Sequence, residues 1–198
     1  MNTLKIIVSS LHQSLALVAL LAAPCSFGET MSPIVDDFSD PENNSLGIPR
    51  QYMNDTVSGG GTSTEQSVSD GVLSVTGEIV PPRGQPGWSS AILILDPQGM
   101  PQDASAFEGI RLLVKVNKGN ISVSTNSTDV QNFDYHAAPV LAKSDGKFHE
   151  VKIPFASMKR AWSEQTPLNT KAISGLSIVA FGMQKGSYDF QLDEVGFY

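Results

Sequence analysis

Apolar and polar residues alternate along short segments of this chain. In residues 109–116 ("GIRLLVKV"), Ile110, Leu112 and Val114 share one phase, while Arg111 and Lys115 share the other. A period of two is typical of a β-strand with one face in the core and one in solvent. The same reading predicts further strands at 70–79, 88–95, 120–125, 134–142, 147–155, 176–182 and 188–198.

Turn-forming pairs such as Asp70-Gly71 and Asp145-Gly146 separate the predicted strands. The chain contains no long amphipathic helical pattern, and at most one helical turn is expected near 156–162. We therefore predict an all-β fold, an antiparallel β-sandwich of the jelly-roll type.

Two segments predict finer features of the sheets. In the last strand Tyr188 and Leu192 hold one phase, but the apolar positions then switch to Val195 and Phe197. An inserted residue at Asp193-Glu194 would cause that switch, so a β-bulge is predicted there. Residues 176–182 ("LSIVAFG") are apolar on both faces, which predicts a central strand.

The first 28 residues have the composition of a secretory signal peptide. Lys5 is their only strong charge, an apolar run follows from Leu15 to Ala23, and small residues stand near the end. They contain no arginine, unlike a mitochondrial presequence. We predict cleavage after about residue 28, a binding domain over 29–198 and a secreted or periplasmic location. Lipidation at Cys25 is less favoured, because Pro24 stands where a lipoprotein box needs a small residue.

The composition of the predicted mature chain excludes several classes of protein. The full chain has a net charge of −7, and loss of Lys5 makes it −8, with no basic stripe for a nucleic acid partner. Cys25 is the single cysteine, so the mature chain forms no disulfide. After the leader no second apolar segment is long enough to span a membrane.

Three consecutive glycines, Gly59 to Gly61, lie in the segment "DTVSGGGTSTEQ" (55–66). A phosphate-binding loop would need Gly-Lys-Ser/Thr before a helix, or G-x-G-x-x-G within a βαβ unit, and neither is present. Glycines also serve where the chain reverses or where another segment approaches closely. We interpret this loop as a structural turn.

The order of several segments resembles the complex I intermediate-associated protein 30 family. The segments are "DTVSGGGTS", "DGVLSVTGEI", "GWSSAILIL", "ASAFEGIRLLVKVNKGN", "FHEVKIPFASMKRAW" and "YDFQLDEVGFY". The opening "IVDDFSDPENNSLG" is similar to the start of family 11 carbohydrate-binding modules. The resemblance spans residues 34–198 and implies a galactose-binding-domain-like jelly roll. Ser58 and Trp88 depart from the family pattern, which has Met and Phe there.

Four carboxylates form a candidate calcium site. If the first strand pairs with the last, Asp36 or Asp37 approaches the bulge that carries Asp193 and Glu194. Calcium prefers carboxylate and carbonyl oxygens. The resemblance to carbohydrate-binding jelly rolls, which often hold a structural calcium ion, supports this prediction. The alternative is a solvated acidic pair at a sheet edge.

Aromatic side chains that could stack on a sugar, with polar neighbours, form a candidate glycan site. The residues are Tyr52, Phe133, Tyr135, His136, Arg160 and Trp162. On the strand 134–142 Tyr135 and His136 point to opposite sides, so one groove cannot hold both unless a bulge intervenes. Each aromatic residue could instead belong to the core, and Trp88 fits the core better.

Catalysis has little basis in this sequence. His136 and His149 are the two histidines beyond the leader, with no H-x-x-x-H pair and no G-x-S-x-G elbow.

We predict a secreted, noncatalytic binding domain whose partner is a glycan on a shallow sheet groove. The alternative is a protein-interaction or assembly domain of the complex I intermediate-associated type. The family's mitochondrial member assists assembly of respiratory complex I, and an esterase or glycosidase is the weakest reading.

Overall fold

The computed structural model describes Met31–Tyr198, and these residues form one compact unit. The predicted leader and Cys25 lie outside the described residues. The described strands are β1 (Ile34–Asp36), β2 (Gln51–Asn54), β3 (Ser63–Ser69), β4 (Val72–Ile79), β5 (Gly87–Ile94), β6 (Gly109–Lys118), β7 (Asn120–Ser127), β8 (His136–Pro139), β9 (His149–Pro154), β10 (Lys159–Arg160), β11 (Ile173–Gly182) and β12 (Gly186–Phe197). Short 3-10 turns occur at Asp55–Ser58 and Phe155–Ser157.

The strands form two six-stranded sheets. The first sheet has the order β3-β4-β12-β6-β9, and β1 pairs with β12 at Gly196 and Val195, beyond the part that β4 covers. The second sheet has the order β10-β8-β7-β11-β5-β2. All of the strand pairs are antiparallel. The prediction of an antiparallel β-sandwich of the jelly-roll type is confirmed.

The hydrophobic core lies between the two sheets. Ile110, Leu112 and Val114 of β6 are fully buried, as are Leu176 and Ile178 of β11 on the other sheet. These residues have the phases that the alternation predicts. Burial of both inner faces is the main source of stability for a sandwich without disulfides.

The predicted bulge and the predicted central strand are both present. Leu192 pairs with Val114, and Glu194 pairs with the adjacent Leu113, so Asp193 is the inserted residue. β11 lies between β7 and β5 in its sheet. Its outward residues are less covered than predicted: Val179 is half-buried and Phe181 is 37% exposed. That difference leaves an open face on the second sheet.

In Met31–Tyr198 no helix has the length and apolar character needed to cross a membrane.

Candidate functional site

The outward side chains of the second sheet form the surface that we call the second-sheet face. Strand register assigns its members, because outward residues pair with each other across the strands and alternate with core residues. The members are Gln51, Met53, Trp88, Ser90, Ile92, Ile94, Asn120, Ser122, Ser124, Asn126, Ala137, Pro139, Lys159, Gly175, Ser177, Val179 and Phe181.

Small side chains occupy the centre of this face. Ser177 of β11 pairs with Ser124 of β7, and Val179 pairs with Ser90 and Ser122 on its two sides. Ser90 and Ser124 are each only 6% exposed although they point away from the core. Neighbouring side chains therefore cover these two serines, and we call this strip of small side chains the recess.

Apolar side chains border one end of the recess. Trp88 of β5 pairs with Phe181 of β11, and Met53 of β2 pairs with the neighbouring Ser90. Met53 is 44% exposed and Met183, just after β11, is 69% exposed. We call this group, Met53, Trp88, Phe181 and Met183, the β11 end.

The glycine-rich loop holds the backbone of Trp88 in place. The carboxylate of Asp55 is fully buried; it accepts hydrogen bonds from Thr62 N (3.0 Å), Thr62 Oγ1 (2.7 Å) and Trp88 N (3.1 Å). A Cβ on Gly60 would lie 2.2 Å from Asp55 Oδ1, and one on Gly87 would lie 2.9 Å from Asp55 Oδ2. The loop is a structural turn, as predicted, and it closes around a carboxylate of this same chain.

Two aromatic residues lie together near the other edge of the sheet. Tyr135 precedes β8 in the phase of Ala137, and Trp162 follows β10. Their ring centroids are 5.3 Å apart at an interplanar angle of 86°, an edge-to-face contact. Trp162 is 61% exposed, so most of its side chain is accessible to a ligand. We call this pair the aromatic corner.

A buried carboxylate holds the backbone of the aromatic corner in place. Asp134 accepts hydrogen bonds from Tyr135 N (2.8 Å), Ala161 N (3.0 Å) and Ser163 N (3.0 Å), and from Arg160 Nε (2.8 Å). Burial by itself raises the pKa of Asp134, but the hydrogen bonds from Arg160, Tyr135 and Ser163 outweigh it and hold the pKa well below its usual range. The segment that carries Trp162 is thus fastened to an ionised side chain.

Arg160 supports this arrangement and does not present its charge to a ligand. Its side chain is 10% exposed. Nη1 donates to Thr166 Oγ1 (3.2 Å) and Nη2 donates to Asn132 Oδ1 (3.1 Å), in addition to the bond from Nε to Asp134. Arg160, predicted as a ligand contact, instead ties together the loops on both sides of Trp162.

Three other predicted ligand residues are not brought together at this site. Tyr52 pairs with the core residue Ala91 and packs against the hydrophobic core. His136 is 1% exposed, and its Nε2 lies 2.8 Å from Thr166 O. Phe133 is 94% exposed and has a left-handed φ of 60°. Alternation along the strands turns Tyr52 and His136 inward, so neither reaches the second-sheet face.

The four predicted calcium ligands do not form a cluster. Asp36 is fully buried and accepts from Arg50 Nε (2.6 Å) and Nη2 (2.8 Å). Asp37 accepts from the hydroxyls of Ser39 and Ser45, and Glu194 forms an ion pair with Arg111. Within residues 31–198 no group of three His, Cys, Asp or Glu could hold a metal.

These carboxylates therefore do not fit the predicted calcium site. Asp36 and Glu194 each form an ion pair with an arginine of the same chain. Their charges are therefore already balanced where the prediction places a calcium ion. Asp193 is the bulge residue and is half-buried. Calcium binding itself stays a prediction.

Both histidines of the described region have partners other than a serine hydroxyl. His149 Nε2 lies 2.8 Å from Asp145 Oδ1, and its side chain is 29% exposed, as expected for a partly buried structural histidine. His136 contacts the carbonyl of Thr166. A nucleophilic serine would need a histidine within hydrogen-bond reach.

Comparison with solved structures finds the same fold in carbohydrate-binding modules. A family 11 module from Clostridium thermocellum, in complex with a beta-1,3-1,4-mixed-linked tetrasaccharide, has a TM-score of 0.60 and 16% identity, with 83% of this chain and 94% of that chain covered. A family 11 module of a cellulosomal cellulase from the same organism has a TM-score of 0.55 and 17% identity, with coverages of 80% and 92%. At these identities the likeness shows the fold alone.

An agarase contains a similar unit. Its TM-score is 0.57 at 11% identity, with 84% of this chain but only 26% of the agarase covered.

Comparison with curated protein sequences gives no significant match. The sequence model of the complex I intermediate-associated protein 30 family matches residues 37–192. With most of its length inside that match, the chain belongs to the complex I intermediate-associated protein 30 family.

Proposed function

We propose that this protein is an exported, noncatalytic domain that binds a glycan on its second-sheet face. The observation that carries the proposal is the recess of small side chains, including the half-buried Ser122 and Ser177, between the β11 end and the aromatic corner. Sugar rings offer an apolar face to aromatic rings and hydroxyls to polar groups, so a binding site needs both.

The dimensions of the face suit an oligosaccharide better than a single sugar. From Phe181 to Gly175 along β11, at about 3.3 Å per residue, the face extends roughly 20 Å. In the aromatic corner, Tyr135 precedes β8, two strands from β11, and Trp162 follows β10, three strands from β11. A chain of several rings could touch both ends at once.

The similarity to carbohydrate-binding modules supports this proposal at the level of fold. The family 11 module with the tetrasaccharide shares the sandwich, although its identity to this chain is 16%. Fold alone does not determine function, so the proposal depends on the residues of the second-sheet face.

Binding to polysaccharides tests the proposal directly. The purified protein would be run in native gels that contain soluble mixed-linkage β-glucan, xyloglucan, galactomannan or agarose, with isothermal titration of any polymer that retards it. We expect retardation by at least one polymer and a loss of affinity of roughly tenfold or more in Trp162→Ala and Trp88→Ala. Phe148→Ala is the matched control, since Phe148 packs under Lys115 of the first sheet, 5.3 Å from its Nζ.

Two outcomes would reject the proposal. Absence of retardation by every polymer would remove glycan binding. Retardation that persists unchanged in both tryptophan variants, while their thermal unfolding matches the parent protein, would remove the second-sheet face as the site.

A protein-interaction or assembly domain is the second candidate function. The exposed apolar side chains of the β11 end favour it, because Met53, Phe181 and Met183 could bury against a protein partner. Membership in the complex I intermediate-associated protein 30 family is also consistent with such a role. Triple substitution of these three residues by serine should abolish capture of a protein partner under this hypothesis, whereas Trp162→Ala, at the aromatic corner, should leave that capture unchanged.

Export rests on the predicted signal peptide. Expression of the full chain with a C-terminal tag would show a mature product shorter by about 28 residues outside the cytoplasm if the leader is cleaved. A product that keeps its first residue and stays in the cytoplasm would contradict export.

A further inference from the structure

The two outer faces of the sandwich differ sharply in charge. On the first sheet the outward strand positions carry charged residues of both signs, namely Glu65, Glu78, Arg111, Lys115, Glu150, Lys152, Asp189 and Glu194. Some of them pair with each other: Arg111 lies 3.3 Å from Glu150 and also contacts Glu194. The first sheet thus has the mixed, charged surface that is common on soluble proteins.

The second-sheet face has one charged member, Lys159, at its edge on β10. Its other members are serine, asparagine, glutamine, glycine, proline and apolar residues. Near the aromatic corner, the charges of Asp134 and Arg160 neutralise each other and are 0% and 10% exposed. A ligand on this face would meet hydroxyls, amides and apolar surface with almost no formal charge.

A polyanionic ligand would be poorly accommodated here. Each carboxylate or sulfate that it brought into the recess would lose water without gaining a cationic partner, and such desolvation is costly. The net charge of the whole chain, −7, adds long-range repulsion against a polyanion. A neutral polysaccharide carries no charged group that would be desolvated when it lies across the serines of this face.

From this contrast, and resting on the proposed function, we infer that the ligand of the second-sheet face is an uncharged polysaccharide and that polyanionic glycans are excluded. Specificity on this face comes from the scarcity of basic side chains as much as from the polar and apolar groups that are present.

The test compares neutral and anionic polymers on the same protein. The neutral probes are mixed-linkage β-glucan, galactomannan and agarose; the anionic probes are alginate, polygalacturonate and carrageenan. We expect retention by a neutral polymer only, with an affinity that changes less than about twofold between low salt and about 0.5 M NaCl, because no ion pair is formed.

A carboxylate placed in the recess provides a second test. Ser122 and Ser177 are half-buried on the face, so Ser122→Asp and Ser177→Asp should weaken binding of the neutral polymer by roughly tenfold or more. The uncharged, similar-sized Ser122→Asn and Ser177→Asn are the matched variants and should lose less. Lys115→Glu, on the opposite sheet, should leave binding unchanged.

The outcomes separate this inference from the proposed function. Retention by an anionic polymer that is as strong as by any neutral one, and that fades with salt, would overturn the inference while glycan binding stands. Retention of the neutral polymer that is equal in the Asp and Asn variants would also overturn it. No retention by any polymer would overturn the proposed function, and the inference with it.

Discussion

The carboxylate of Asp55 fills the space beside Gly60, where a Cβ would lie 2.2 Å from Asp55 Cγ. No side chain fits at that position unless the carboxylate moves. Asp55 in turn joins the start of β3, through Thr62, to the start of β5, through Trp88. The glycine is therefore required by a contact within the chain, and the loop needs no phosphate to explain it.

Gly60→Ala should destabilise the protein by about 1 to 3 kcal/mol, the usual cost of overpacking. The measurement is urea or thermal unfolding, where about 2 to 4 °C of Tm is expected per kcal/mol for a domain of this size. Gly186→Ala is the control, because nothing lies within 4 Å of a Cβ there. Equal stability of the two variants would contradict the close packing around Asp55.

Tryptophan fluorescence can report ligand contact at each end of the second-sheet face separately. The chain has two tryptophans, Trp88 and Trp162. Trp162→Phe leaves Trp88 as the only emitter, and Trp88→Phe leaves Trp162. A bound oligosaccharide that spans the face should change the emission of both variants, since it would shield both indoles from water. A change confined to Trp162 would place the ligand at the aromatic corner alone.

Removal of one partner of the buried Asp36–Arg50 ion pair should lower the stability of the fold more than replacement of both partners by uncharged residues. Asp36 is fully buried and Arg50 is 9% exposed, with both hydrogen bonds of the pair at 2.8 Å or less. Arg50→Met leaves the Asp36 charge without its partner and should cost about 3 to 5 kcal/mol. Unfolding in urea measures the loss.

The double variant Asp36→Asn with Arg50→Met tests the cause of that loss. Asn at position 36 keeps an oxygen for the N–H of Phe38, which now donates to Asp36 Oδ1 at 2.9 Å. The double variant should recover a large part of the stability lost in Arg50→Met. If it is the less stable of the two, the loss comes from packing of the arginine and not from an unpaired charge.

Much of the fold could be predicted from alternation alone. The phase of Ile110, Leu112 and Val114, the bulge at Asp193 and the central position of β11 all follow from apolar spacing along single segments. The sequence does not predict β2 and β10, because these edge strands have only four and two residues, too few to show an alternation.

The candidate site was harder to predict because it depends on contacts between distant segments. Alternation correctly separated Tyr135 from His136 but could not tell which of them faces the core. The sequence predicts Asp36 as a calcium ligand because no pattern marks Arg50, 14 residues away, as its partner. Trp88, which the sequence assigns more readily to the core, instead faces outward, and strand register places it beside Phe181.

Asp134 should make the aromatic corner resistant to moderate acid. Its pKa is lowered in the folded protein, so it stabilises the fold fully at pH values above the ordinary aspartate pKa, near 3.9. That contribution is lost as pH falls further, through the depressed folded pKa. Asp134→Asn should therefore be less stable than the parent protein at neutral pH, with a gap that stays constant down to about pH 5 and narrows below about pH 4.

Urea unfolding of both proteins from neutral to about pH 3 measures this gap. Asp70→Asn, at an exposed turn, controls for the removal of a carboxylate from the surface. Because Ala161 N and Ser163 N bond to Asp134, the emission of Trp162 should also shift in Asp134→Asn at neutral pH. A gap that is the same at every pH would mean that the charge of Asp134 contributes nothing, and that its hydrogen bonds alone hold Trp162 against Tyr135.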